Sequence, residues 1–324
     1  MQIVRASDLV FRLLIGGLLG LAVGVVGVVA MGAVGAVWAL GPMLVVVVLA
    51  GRTPWRRWRL TQQQMPASHR TWLETHVSLY ARLDDAGKAR FERDVRFALA
   101  ERRFEGVDGV EVTDDLRLGV AAGIALLLHG RPDWELSDGR TFLFLPTYFG
   151  DHTDEIYSEE DYGTADYDYD GMVHAQGPVL LAAPSVRDGW ARPDGQNVVL
   201  HELAHLFDFD DTDADGLPSL LDPGSRDAWI TLMHREMRAA ERGRSMLGRY
   251  ASTAPAELFA VATEVFFEQP VVFSQRHPEL FDALAAFYAL DPRPPGWEAT
   301  ANDPPERQSR MARRWGLKAP RDYD

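Results

Sequence analysis

The chain has 324 residues, no cysteine and a formal net charge of −14. Missing thiols exclude disulfides, thiolate metal sites and a cysteine nucleophile, so any metal must be held by His, Asp, Glu or backbone oxygens. The acidic balance argues against a nucleic-acid surface, which needs clustered Lys and Arg to neutralise phosphates; the length suits one sizeable domain plus an appendage.

From Leu13 to Gly51 there is no charged residue. This is too long for one span of about 20 residues. It predicts two short membrane spans, about 9–29 and 33–51, turning near Gly32 and Gly35 or at Gly41-Pro42. Frequent glycines would let the two helices approach closely. Arg5 and Arg12 precede the run, and Arg52, Arg56, Arg57 and Arg59 follow it. Positive charge marks the cytoplasmic side, so both ends are expected inside, anchoring the chain in the inner membrane with the rest facing the cytoplasm. A cleaved signal peptide fits less well, because its apolar core runs only about 7–15 residues.

Beyond this hairpin the composition becomes that of a soluble domain. Residues 61–105 carry apolar residues at helical spacing (Trp72, Leu73, Val77, Tyr80, Leu83, then Phe91, Val95, Phe97, Ala98), and 117–129 read as a buried helix. Residues 141–146 and 177–182 read as short strands. The acidic, tyrosine-rich stretch 150–171 between them reads as a solvated flap. The second strand, Gly177-Pro-Val-Leu-Leu-Ala182, is either an edge along which a peptide could lie or an ordinary strand beneath the site. A loop with Gly189, Pro193 and Gly195 leads to a helix at about 196–207. Further helices are expected at about 225–243 and 255–268, the latter with Pro255 at its first position. These elements divide the chain into a membrane hairpin and basic flank (1–60), a domain over 61–292 with a helical part (61–130) and a catalytic part (131–292), and a poorly ordered tail (293–324). The fold class is α+β, helix-dominated, with a small sheet.

The helix at 196–207 carries the chemistry. His201 and His205 in His201-Glu202-Leu203-Ala204-His205 share one helix face, so two imidazoles converge on one point. Such a pair is a common part of a catalytic zinc site. Glu202 is placed to act as general base on water. An amphipathic helix can carry this pattern by chance. Here, however, Val198-Val199-Leu200 precede the motif and Leu206-Phe207 follow it, and burying three such groups is costly unless they are paired or metal-bound. No third histidine follows in the usual extension, since Asp208 and Asp211 occupy those positions. Glu257, Glu264 and Glu268 on the helix 255–268 are the candidates for a third ligand. Glu257 and Glu264 lie two turns apart on one face, and spacing alone does not choose between them.

Several blocks together resemble the Mlc titration factor A family of zinc peptidases, over roughly 85–292. They are Gly177-Pro-Val-Leu-Leu, Asn197-Val-Val-Leu-His-Glu-Leu-Ala-His-Leu-Phe-Asp208, Asp215-Gly-Leu-Pro218, the stretch Tyr250–Phe267, His277-Pro-Glu-Leu-Phe281 and Phe287–Pro292. The catalytic core is also similar to that of anthrax lethal factor. The resemblance implies a zincin-like metallopeptidase domain with Glu257 as third zinc ligand. It implies that Tyr250 points at the site, where a phenol can donate to an oxyanion; the alternative is a core aromatic. Glu264 would then orient a ligand imidazole, and Asp208 would serve either a histidine N–H or a structural bond. Peptides or proteins are the implied substrates. A regulatory module that sequesters a partner such as a transcription regulator is the alternative function. The membrane hairpin departs from the short soluble members.

Weaker signals remain. Asp211-Thr-Asp-Ala-Asp-Gly216 imitates the start of a calcium loop, but Asp222 stands where a bidentate glutamate is expected, so an acidic turn is the better reading. The remaining histidines lack ligand spacing; His152 and His174 flank the flap and could touch substrate.

Overall fold

A computed structural model describes residues 1–2, 6–136, 140–147, 171–173, 177–208, 216–218 and 220–297. The chain divides into two compact units, Met1–Met65 and Pro66–Asp324. Most of the acidic flap, the calcium-like loop, His152, His174 and the end of the tail lie outside the described residues.

The first unit is a helical hairpin. Helix α1 (Ala6–Met31) is followed by a 3-10 segment, Gly32–Ala39, and by α2 (Leu40–Thr61). The arms are antiparallel and close: a side chain on Gly16 would collide with Val46, and near the open end the Arg57 guanidinium donates to the Gln2 carbonyl. Apolar side chains face outward along both arms, Val29 being 83% exposed. Only α1, over Leu14–Met31, is long and apolar enough to cross a membrane among the described residues. The second arm differs from the expected span. Its first residues wind as a 3-10 turn, and the uncharged part of α2 ends at Gly51 before four arginines.

The second unit is helix-dominated with a small mixed sheet. Its elements are α3 (Ala67–His76), α4 (Ser78–Arg82), α5 (Asp85–Glu101), β1 (Arg103–Gly106), α6 (Asp114–Leu127), β2 (Thr141–Leu145), β3 (Gly171–Val173) and β4 (Val179–Ala182). There follow α7 (Ala183–Ala191), α8 (Val198–Asp208), α9 (Arg226–Glu241), α10 (Pro255–Glu268), α11 (Pro270–Arg276) and α12 (Pro278–Tyr288). The sheet order is β1-β2-β4-β3. β1, β2 and β4 run parallel, with Phe142 opposite Val179 and Leu145 opposite Ala182, and β3 closes the sheet antiparallel with Met172 opposite Leu180. The strand expected at 177–182 is therefore interior, buried at every position of β4. The edge beside the motif helix is β3, too short to show alternation in sequence.

Local chemistry explains the helices that frame the site. Asp84 caps α5 by accepting the Gly87 N–H at 2.7 Å. α6 is apolar nearly all round and buried from Leu118 to Leu127, as a helix without a polar face must be. Its Gly123 permits close approach to α8, since a Cβ there would stand 2.8 Å from Val199 and 2.9 Å from Leu203. The expected loop at Gly189 is instead the end of α7, where Gly189 packs against Asn197. Behind α8 and α10 lies an aromatic core. Phe207 and Phe259 each meet Phe287 edge-on (5.7 and 5.6 Å), and Phe266 stacks on Tyr288 at 5.7 Å. The buried Tyr288 hydroxyl pairs with Thr263 at 2.9 Å. Such rings bury about 150–250 Å² each, so this cluster fixes α10 against α8.

Candidate metal centre

α8 and α10 cross so that the motif face of one meets the first turn of the other. The His201 and His205 Nε2 atoms are 3.2 Å apart. One Glu257 oxygen is 3.1 Å from His201 Nε2, and the other is 3.5 Å from His205 Nε2. Ligand atoms at about 2.0–2.1 Å from a tetrahedral zinc stand about 3.3–3.4 Å from one another. The three side chains therefore fit one small cation. Among the described residues they are the group able to hold a metal. The Glu257 side chain is 22% exposed, which leaves one side of the triangle open.

A second carboxylate grips the same imidazole from behind. Glu264 Oε1 is 2.8 Å from His201 Nδ1. A proton on Nδ1, donated to Glu264, leaves the Nε2 lone pair facing Glu257 and His205. The other Glu264 oxygen accepts the Asn197 N–H. Asn197 is the N-cap of α8: its Oδ1 accepts from Leu200 N at 3.2 Å. Its Nδ2 donates to the Gly189 carbonyl and to Glu268, each at 3.1 Å. Glu268 also accepts the Gly195 N–H at 2.8 Å. Of the three glutamates on α10, Glu257 faces the histidine pair, Glu264 supports it, and Glu268 ties down the entry to α8. The sequence assigns Asn197 no role beyond opening the motif block; a helix-capping residue just before Val198-Val199-Leu200 was the available signal.

Electrostatics follow from this packing. Burial works against a charge on His201, but the bonds to Glu257 and Glu264 outweigh it and hold its pKa well above the usual histidine value. Burial would raise Glu257, yet its two histidine partners pull it well below the carboxylate range. Glu202 is buried, and burial lifts it to about 7, only partly offset by the two histidines. Burial likewise lifts Glu268 to about 8.

Glu202 lies under the edge strand. A Cβ on Gly171 would collide with its carboxylate, whose Cδ lies 2.7 Å from that position. Tyr250 begins a 3-10 turn just before α10, with its ring 6.2 Å from the His201 ring. It is 41% exposed, so it stands at the mouth of the site and is not a core aromatic. Asp208 is fully buried and accepts the Gly216 N–H at 3.0 Å, a structural bond at the end of α8.

A family model described as glucose-regulated metallo-peptidase M90 matches residues 52–289. The chain belongs to the M90 metallo-peptidase family. Its relatives include Mlc titration factor A of Edwardsiella ictaluri, 30% identical over 74% of this chain and 93% of that protein. Mlc titration factor A of Salmonella arizonae is 29% identical over 74% and 96%. A protein of Synechocystis is 27% identical over 76% and 94%. The M90 match begins at Arg52, so it takes in the arginine-rich end of α2 but not α1.

Proposed function

We propose that this chain is a zinc-dependent metallopeptidase held at the cytoplasmic face of a membrane by residues 1–60. The observation that carries the reading is the triangle of His201, His205 and Glu257 at zinc spacing, beside a buried Glu202, in a member of a metallo-peptidase family. Zinc held there would polarise the scissile carbonyl and acidify water. Glu202, buried beside the triangle, takes the proton of the attacking water and returns it to the leaving amine. Tyr250 donates its phenolic hydrogen to the oxyanion that develops at the mouth of the site. Glu264 keeps the His201 tautomer correct. β3 offers an extended peptide its outer backbone edge, which orients substrate without demanding a sequence.

Purified full-length protein is expected to hold about one zinc per chain. It should cleave members of a peptide library, lose that activity to a chelator and regain it with zinc. Full-rate cleavage by the metal-free chain would refute the reading. The name of the relatives favours a second reading, a module that binds a transcription regulator. That reading wins if a hydrolytically dead Glu202→Gln variant keeps the cellular function.

Gly171→Ala tests the strand's role. The new methyl must displace the Glu202 carboxylate or the strand. Misplacing a catalytic group by about 1 Å costs on the order of 10²-fold. The expected result is a fall in kcat of about 10–100-fold with zinc content unchanged; equal kcat in both proteins would separate Gly171 from the chemistry.

A further inference from the structure

The chain's charge is unevenly distributed. It carries −14 overall, yet residues 1–65 hold six arginines and one aspartate, and from Leu9 to Leu73 there is no acidic residue. The hairpin geometry collects Arg12 and the four arginines of α2 at one end. Gly16 sits level with Val46, and Arg57 reaches Gln2, so Arg12 on α1 and Arg52–Arg59 on α2 belong to the open end. The turn end carries no charge at all.

Within α2, Arg52, Trp55, Arg56 and Arg59 recur at helical spacing and fall on one face. All four are exposed, Trp55 by 59%. The Arg59 guanidinium lies over the Trp55 ring at 4.9 Å, and Trp58 extends the stripe with 53% exposure. Arg57, on the opposite face, is buried. Two large aromatic rings are thus left in solvent beside three cations, on a helix whose preceding turns expose Leu44, Val45 and Val48. Tryptophan belongs at the boundary between hydrocarbon and headgroups, and arginine forks bind phosphate oxygens. An acidic protein needs a local source of attraction to approach a negatively charged leaflet at all.

The geometry points to a binding surface for anionic phospholipid headgroups, formed by Arg52, Arg56 and Arg59 with Trp55 and Trp58 as interfacial anchors. It rests on the membrane-tethered reading above and adds to it a lipid selectivity carried by named residues. Each arginine near an anionic leaflet strengthens attraction about five-fold, so three should enrich anionic lipid around α2 severalfold.

The test uses the full chain reconstituted into mixed vesicles in which either phosphatidylglycerol or phosphatidylcholine carries bromine, a contact quencher of tryptophan. Comparison with Trp55→Phe/Trp58→Phe isolates the signal of these two rings. Expected is at least about two-fold stronger quenching by brominated phosphatidylglycerol, weakened by high salt and lost in Arg52→Gln/Arg56→Gln/Arg59→Gln, with peptide hydrolysis unchanged. Equal quenching by the two lipids overturns the selectivity while leaving the tether intact. Selective quenching that survives the triple substitution overturns the role of the arginines. No quenching of these two rings by either lipid overturns their placement at the headgroup boundary, and failure of the chain to float with the vesicles removes the membrane reading itself.

Discussion

Glu202→Gln is expected to keep its zinc and to lose about 10³-fold in kcat/KM, within the 10²–10⁴-fold that a positioned general base supplies. The substitution keeps the shape of the side chain and its neighbours, and Glu202 is not among the three groups that converge on the metal position. Only proton transfer is removed. A second readout follows from burial. Glu202 has its pKa raised from 4.5 to about 7 by burial, so the folded chain prefers the neutral acid. Its contribution to stability is full below the unfolded value and is lost as pH rises through the folded value. A neutral glutamine escapes that loss. Metal-free native protein and variant should melt together near pH 4, and the variant should be the more stable by up to about 3 kcal/mol at pH 8. Undiminished hydrolysis by the variant would end the mechanism. Parallel melting at both pH values would show that Glu202 is not held in a desolvated site.

Where the sequence was legible, the governing interactions are local. The i, i+4 spacing of His201 and His205 dictates convergence on any helix, and α10 runs over the expected 255–268 because Pro255 starts it and an apolar face sustains it. What could not be read depends on distant partners. Asn197 matters through Glu264 and Glu268, 67 and 71 residues away. β3 has three residues, and its importance lies in having Glu202 beneath it. β1 has four residues, mostly exposed, and is a strand only because β2 pairs with it. α7 follows β4 directly, and its Pro and Gly at the two ends resemble loop punctuation.

The hairpin shows a different limit. Composition announced an apolar segment without fixing how much of it is regular helix. Glycines at 32 and 35 favour a tight 3-10 turn, and the arginines from Arg52 onward cut short the apolar part of the returning arm. The same arginines provide the stripe on α2. Charge that weakens the second arm as a span would, on the proposed tether, strengthen its end as an interfacial contact.

Glu257→Ala should lower zinc affinity by more than the 10–100-fold typical of a change in a residue that merely supports a ligand, whereas Glu264→Ala should fall inside that range. The two glutamates are seven residues apart, a separation of about 10 Å along a helix. The His201 imidazole bridges that gap, with Nε2 turned to Glu257 and Nδ1 to Glu264. Both carboxylates therefore touch the same residue, which is why spacing alone left them equivalent. They are not equivalent chemically. Glu257 also reaches His205 Nε2 at 3.5 Å and so shares the point where both imidazoles converge. Glu264 is turned instead toward the backbone N–H of Asn197. With both partners present, His201 stays protonated above its usual range, and zinc must displace that proton. Zinc titration of the metal-free chain at neutral pH should therefore release protons, visible as a dependence of binding heat on the ionisation enthalpy of the buffer. Affinity should weaken as pH falls. Glu264→Ala removes one group that holds the proton, so its proton release should drop while metal still binds. If Glu257→Ala keeps native affinity and Glu264→Ala abolishes it, the ligand and support roles are reversed.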